Sequence, residues 1–144
     1  MLSNACAYGL QAMIYLARQP RNRFVAIDSI AAAVGLPRAF LRKVMNKLVH
    51  ARLVHSVRGA SGGVCLTRDP NSVSIFDIIV AIDGDKRFTR CMLHFDQCNP
   101  TNPCPFHEEW TKQQEAFQER LQTLTLRDIA YSMPKYYLTH GKSP

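Results

Sequence analysis

Apolar residues recur at helical spacing through the first third of the chain. Leu2, Cys6, Leu10, Met13, Ile14 and Ala17 step by three and four, which predicts an amphipathic helix over 2–18. Gln19-Pro20-Arg21-Asn22 ends it. Asp28 is placed to cap a short second helix, Ser29 to Val34, and Gly35 to stop it. Pro37 suits the first turn of a third helix that runs to about His50. Phe40, Leu41, Val44, Leu48 and Val49 form its apolar stripe, with Arg38, Arg42, Lys43 and Lys47 off that stripe. The period then changes. Leu53 to Val57 is rich in β-formers, Arg58-Gly59-Ala60-Ser61-Gly62-Gly63 interrupts, and Val64-Cys65-Leu66 resumes, which predicts a β-hairpin with a Gly-rich tip.

Beyond the hairpin, Ser74 and Asp77 form a capping-box-like pair opening a fourth helix, Ile75 to about Ile82. Residues 86–104 lack periodicity and contain Pro100 and Pro103, so a long loop is expected there, of the kind that is usually functional or disordered. From Pro105 to about Leu124 a helix resumes. Phe106, Trp110, Gln113, Phe117, Leu121 and Leu124 form a near-heptad seam, which could meet its twin in a homodimer or pack on its own domain. The large aromatics favour the homodimer. Thr125 and Asp128 cap a short final helix, and the tail after Pro134 is expected to be loosely held.

A helix, a turn with Gly and a second helix form a helix-turn-helix pattern, although an ordinary helical hairpin would look the same. The hairpin that follows favours a winged helix, whose second helix can enter the DNA major groove. The expected fold is therefore mainly α with a small β-hairpin wing, a winged helix-turn-helix plus a long dimerisation helix. Its expected divisions are a DNA-binding domain over 1–83, a cysteine-containing loop over 84–104, the long and short helices over 105–133 and a flexible tail over 134–144.

Charge sharpens this picture. The chain has 144 residues and a net charge of +7. Residues 1–72 carry ten Lys and Arg against Asp28 and Asp69, a net of +8, while residues 73–144 carry eight basic and nine acidic residues, a net of −1. A basic half on a small protein suggests a polyanion, most often nucleic acid, although a merely solvated surface gives the same balance. Arg58 could reach a minor groove or a phosphate. At 47% hydrophobic and 20% charged the chain can bury a core. No run approaches the roughly 18 apolar residues of a membrane span, and the periodic, leaderless start argues for a cytoplasmic protein.

The cysteines suggest chemistry. Cys6 and Cys65 stand alone in apolar contexts and are expected in the core. The other three follow Cys91-x6-Cys98-x5-Cys104-x2-His107. Clustered thiols in a cytoplasmic protein point to metal or redox chemistry, and thiolates select iron–sulfur clusters, zinc or copper(I). A closed site needs a fourth ligand. His107 lies one helical turn beyond Cys104, and His94 is a second candidate. Zinc sites favour paired C-x2-C hooks, which are missing, so the wider gaps suit an iron–sulfur cluster better. Lys86, Arg87 and Arg90 flank the loop and are expected to hold the thiols as thiolates. No C-x-x-C, catalytic triad, phosphate loop or suitable carboxylate pair is present, so an enzyme such as a thiol oxidoreductase is not expected.

These features resemble the Rrf-two family of bacterial winged-helix transcription regulators, with IscR-like and NsrR-like members. The matching stretches are Tyr8-Gly9-Leu10, Ile14-Tyr15-Leu16-Ala17, Gly35-Leu36-Pro37, Asp77-Ile78, the three-cysteine loop and, most specific, Val57-Arg58-Gly59-Ala60-Ser61-Gly62-Gly63. The resemblance covers about residues 2–130. It implies a homodimer that binds a double-stranded operator, and a two-iron or four-iron cluster on Cys91, Cys98 and Cys104 that tunes this binding. IscR-like members take a His three residues after the third Cys, which is His107 here. Members that use N-terminal ligands would place them at Ala7 or at Ala7 and Gln11, which are not ligands. Under the resemblance Arg38, Arg42 and Lys43 contact bases and phosphates while Arg58 and Ser61 anchor the wing; Lys47 lies late in its helix. The expected function is an operator-binding regulator that senses redox, nitric oxide or iron–sulfur status through the cluster. The alternative is the same DNA-binding fold with a zinc site or a thiol–disulfide switch.

Overall fold

The computed structural model describes residues 2–134 and Tyr137. Helix α1 (Asn4–Ala17) opens at Ser3, whose Oγ accepts the Cys6 amide. Cys6, Gly9, Ala12, Met13, Ile14, Leu16 and Ala17 are buried along it, so Gly9, Ala12 and Leu16 widen the face that the steps of three and four predict. The reason is its position, because α1 packs against the second, third, fourth and sixth helices introduced below.

Helix α2 (Ile27–Val34) begins at Ala26, not at Asp28. The amides of Ser29 and Ile30 both donate to the Ala26 carbonyl, so the backbone sets the start. Asp28 stands inside the first turn, where its charge still suits the helix N-terminus. Gly35 ends α2 at φ 70°, as expected. Pro37 sits at the N-cap of α3 (Arg38–His50), one residue outside the helix. Leu41, Val44, Met45 and Leu48 face the core.

Strands β1 (Val54–Val57) and β2 (Gly63–Leu66) pair antiparallel, with Val54 opposite Leu66 and Val57 opposite Gly63. Val25 adds an isolated bridge to Val64 on the free side of β2, which ties the hairpin to the segment before α2. Helix α4 (Ile75–Asp83) starts with the full Ser74–Asp77 capping box, and a 3-10 turn, Asp85–Phe88, follows it. Helix α5 (His107–Thr123) is followed by α6 (Leu126–Ser132), which opens on the Thr125–Asp128 capping box. The two boxes stand side by side: Ile75 N donates to Leu124 O and Leu126 N to Val73 O.

One apolar core joins α1 to α4, α6, β1 and β2, and among the described residues no polar or charged side chain is buried within it. The seam of α5 divides. Leu121 is buried on its own domain, whereas Phe106 and Phe117 are exposed. Cys6 is fully buried as expected, but Cys65 is only half-buried because β2 alternates faces and Val64 takes the inner one. The anticipated tail lies outside the described residues apart from Pro134 and Tyr137. No described helix is long and apolar enough to cross a membrane.

Candidate functional site

The burial pattern of α3 separates two faces. Leu41, Val44, Met45 and Leu48 turn inward, while Arg42, Lys43 and Asn46 are exposed. Arg38 is also exposed, and its Nε lies 2.6 Å from the Asp28 Oδ1. Thus α2 holds the first cation of α3 by an ion pair across the turn. Lys47 behaves differently from its neighbours: its Nζ donates to the Ile82 carbonyl at 3.0 Å, at the end of α4. Arg58 and Ser61 stand exposed at the hairpin tip, which the Gly62 amide closes onto the Gly59 carbonyl. Among the described residues Arg42, Lys43 and Arg58 have no ion-pair partner. Such free cations on the exposed face of a helix and on a hairpin tip suit phosphate contact.

The second site is the loop between the 3-10 turn and α5. Three thiols that lie 13 residues apart at the extremes converge there, with the Sγ atoms of Cys91, Cys98 and Cys104 within 4.8 Å of one another. Cys91 Sγ lies 3.7 Å from Cys104 Sγ, and Cys98 Sγ lies 3.3 Å from His107 Nδ1. Short turns shape the loop: His94 N donates to Cys91 O, Cys98 N to Phe95 O, and Asn99 and Asn102 bond each other's backbone. The Cys104 amide donates to Cys98 Sγ at 3.4 Å. Trp110 Nε1 and Gln114 Nε2 both donate to the Arg90 carbonyl, which pins the loop to the side of α5. All three thiols are half-buried and line a small cleft that opens to solvent.

The donor set fits a soft metal or an iron–sulfur cluster, with three thiol sulfurs and an imidazole nitrogen at one mouth. His107 reaches this group through Cys98 alone and is not one of the three residues whose ligand atoms all lie within 4.8 Å of one another, while His94 is exposed with φ 60°. Desolvation, the largest influence, raises the Cys91 thiol. The amides of Phe95 and Leu93 and the sulfurs of Cys104 and Cys98 together overcome it and hold Cys91 below the ordinary thiol value. Cys98 moves up: the Cys104 amide lowers it, but desolvation and the sulfurs of Cys104 and Cys91 outweigh that bond. Cys91 is therefore the readier thiolate of this pair. Lys86, Arg87 and Arg90 are not among the groups that shift Cys91 or Cys98, on which backbone amides and neighbouring thiols act. Arg87 is instead committed to Asp83, with Nε 2.9 Å from Oδ2.

Sequence reasoning missed the anchoring by Trp110 and Gln114. Trp110 appeared only as a seam residue, and nothing in a sequence marks a carbonyl such as that of Arg90 as the acceptor.

An α3 with free cations, a Gly-tipped hairpin beside it and a thiol site on the linker to a long helix define a winged-helix transcription regulator. Residues 2–132 match the Rrf2 family, described as iron-dependent transcriptional regulator, and the chain belongs to that family. A protein of Aquifex aeolicus (strain VF5), named as a candidate HTH-type transcriptional regulator, is 33% identical over 131 residues, which is 90% of each chain. Among solved structures, CymR (YrzC), the global cysteine regulator of B. subtilis, is 29% identical with a TM-score of 0.78, covering 93% of this chain and 98% of that one. T. potens IscR is 32% identical with a TM-score of 0.72, covering 94% and 89%. These relatives are regulators and not enzymes, and they share the mainly helical fold with its β-hairpin wing.

Proposed function

We propose that the protein is a cytoplasmic, homodimeric regulator that binds a double-stranded operator, with an affinity set by an iron–sulfur cluster on Cys91, Cys98, Cys104 and His107. The observation that carries this reading is the convergence of three sulfurs within 4.8 Å, with the His107 Nδ1 3.3 Å from one of them. The family description, iron-dependent transcriptional regulator, favours iron over zinc. When bound, a two-iron or four-iron cluster supplies a crosslink across the loop that responds to redox state, nitric oxide or iron supply. The chain's own residues do the rest. Residues 1–83 carry the DNA-binding unit, in which Arg38, Arg42 and Lys43 meet bases and phosphates and Arg58 and Ser61 anchor the wing. Residues 84–104 carry the thiols. Residues 105–133 carry the dimer contact, where Phe106 and Phe117 are 51% and 44% exposed. Two copies of α3 must match half-sites about one DNA turn apart, so a shift of the loop against the dimer helix changes affinity.

A second reading rests on one distance. Cys91 Sγ and Cys104 Sγ are 3.7 Å apart, close enough that a thiol–disulfide switch needs only a small closure to the roughly 2.05 Å of a disulfide.

Anaerobic purification, with an absorption spectrum and iron, sulfide and zinc analysis of one sample, tests both. Visible charge-transfer bands with matched iron and sulfide support the cluster. A colourless protein with stoichiometric zinc, or one free of metal after attempted reconstitution, overturns it; in the metal-free case, a Cys91–Cys104 bond formed under mild oxidation establishes the switch.

A further inference from the structure

The link between the two sites runs through one carboxylate. Asp83 is the last residue of α4, and its side chain is 5% exposed. One oxygen, Oδ2, accepts the Ser3 amide at 3.0 Å and pairs with Arg87 Nε at 2.9 Å; the other accepts the Ser3 hydroxyl. Ser3 is the residue whose Oγ caps α1. Arg87 stands four residues before Cys91. The carboxylate therefore ties the start of the central helix to the stem of the cysteine loop. One residue earlier, the Ile82 carbonyl receives Lys47 Nζ from the last turn of α3. At the far end of the stem, the Arg90 carbonyl receives Trp110 and Gln114 from α5. From α3 to α5 the polar contacts run within residues 82–90, and each is a directional bond rather than a sliding apolar contact.

We propose that Asp83 is the positioning residue through which the cysteine loop and the DNA-binding helices sense each other, by way of Ser3 and Arg87. This rests on the regulator reading above. A movement of the loop pulls on Arg87, hence on Asp83, the end of α4 and the neighbouring Lys47 on α3. The pair is half-sheltered, with the Asp83 carboxylate 5% exposed and the Arg87 side chain 33% exposed, so loss of the guanidinium leaves a shielded carboxylate without its cation. The clamp thus transmits displacement rather than absorbing it. Arg87 and Asp83 touch neither the thiols nor the exposed cations of α3, so their effect is on coupling and not on either site's own chemistry.

Coupling between binding at two sites is reciprocal, so a loop arrangement that favours DNA is in turn favoured by DNA. That permits a test with metal-free protein. The alkylation rate of Cys91, Cys98 and Cys104 by iodoacetamide is measured by mass spectrometry, with and without a saturating duplex that the protein has selected from a random-sequence pool. Wild type is expected to show a rate change of about fivefold or more on adding duplex, the lower end of ordinary coupling. In Arg87→Gln, which leaves Asp83 and its bonds to Ser3 in place, the ratio is expected to fall to about one, with duplex affinity of the metal-free protein and circular dichroism unchanged. Arg87→Lys, which keeps the cation, is expected to restore part of it. Asp83→Asn, if it folds, is expected to match Arg87→Gln. A full ratio in Arg87→Gln overturns the clamp and leaves the regulator reading standing. A ratio of one in wild type overturns the clamp together with any coupling between the two sites. Failure to select any duplex overturns the DNA-binding reading itself, and the clamp with it.

Discussion

His107 Nδ1 lies 3.3 Å from Cys98 Sγ, so the first residue of α5 reaches back across nine residues to the middle thiol of the loop. No side chain caps α5, because Phe106 makes no such bond. Removing the imidazole therefore costs the helix no cap, and its effect reports on the site. His107→Ala should still fold and still take up iron and sulfide under anaerobic reconstitution. It should lose iron to a chelator at least about tenfold faster than wild type, the loss seen when even a supporting hydrogen bond to a metal ligand is removed. His107→Cys should recover the slow rate, and Cys98→Ala should not load at all. Equal release rates for His107→Ala and wild type would remove His107 from the ligand set.

The ion pair between Asp28 and Arg38 makes a different prediction from the free cations. Both side chains are 59% exposed, and an exposed pair is worth little to stability. Asp28 nevertheless places a negative charge beside the helix expected to meet phosphates. Asp28→Asn should leave the melting temperature nearly unchanged and tighten duplex binding by about two- to fivefold, the range of an exposed pair's energy. Arg42→Ala and Lys43→Ala should weaken binding and flatten the dependence of log affinity on log salt, since each phosphate contact releases counterions. Fluorescence anisotropy titrations at several salt concentrations decide it. Weaker binding by Asp28→Asn would show that the carboxylate orients Arg38 instead of competing for it.

Much of this architecture was visible in the sequence because it is local. The steps of three and four in α1, the Ser74–Asp77 and Thr125–Asp128 boxes and the Gly-rich hairpin tip each depend on a few neighbouring residues. The thiol trio could be anticipated from spacing, since three cysteines in one short loop cannot stray far apart. The links that were missed join residues distant in sequence through backbone groups. Ser3 and Asp83 are 80 residues apart, and Lys47 meets a carbonyl 35 residues away. Every residue has such a carbonyl, so no residue type announces the acceptor. The α2 start differs for a related reason: Asp28 has the chemistry of an N-cap, but the Ser29 and Ile30 amides bond the Ala26 carbonyl and place it inside the first turn.

Cys6 and the loop thiols should separate cleanly by reactivity. Burial first, and the Asp83 carboxylate second, push the Cys6 thiol up to about 12, with Arg87 pulling the other way. At pH 8 iodoacetamide should label Cys91 in metal-free protein first and Cys98 more slowly, and leave Cys6 unlabelled until denaturant is added. The raised value also has a sign for stability. Folding favours the neutral thiol, so the contribution is complete below the ordinary thiol value of 9.0 and is lost as pH rises toward 12. Urea midpoints of wild type should therefore drop more steeply above pH 9 than those of Cys6→Ala. Parallel curves would mean that Cys6 does not feel this environment. Rapid native-state labelling of Cys6 would show that α1 opens at its N-terminus.

Wing shape and wing chemistry should also come apart under mutation. Gly63 sits at φ 152°, and a Cβ there would lie 2.3 Å from the Val25 carbonyl oxygen. Val25 cannot retreat cheaply, because it exchanges two bonds with Val64, at 2.9 and 2.8 Å, and Val64 is in the core. Gly63→Ala must either open that rung or shift the tip end of the hairpin. Overpacking of this kind costs about 1–3 kcal/mol, which corresponds to a drop in melting temperature of about 3–10 °C for a chain of this size. Arg58 instead stands exposed at the tip with no ion-pair partner among the described residues. Arg58→Ala should keep the wild-type melting temperature and lose duplex affinity, with a smaller salt slope. A melting temperature unchanged in Gly63→Ala would mean that the Val25–Val64 rung contributes little to the fold. An affinity unchanged in Arg58→Ala would place the wing tip away from DNA, and the free cations of α3 would then have to carry the interface alone.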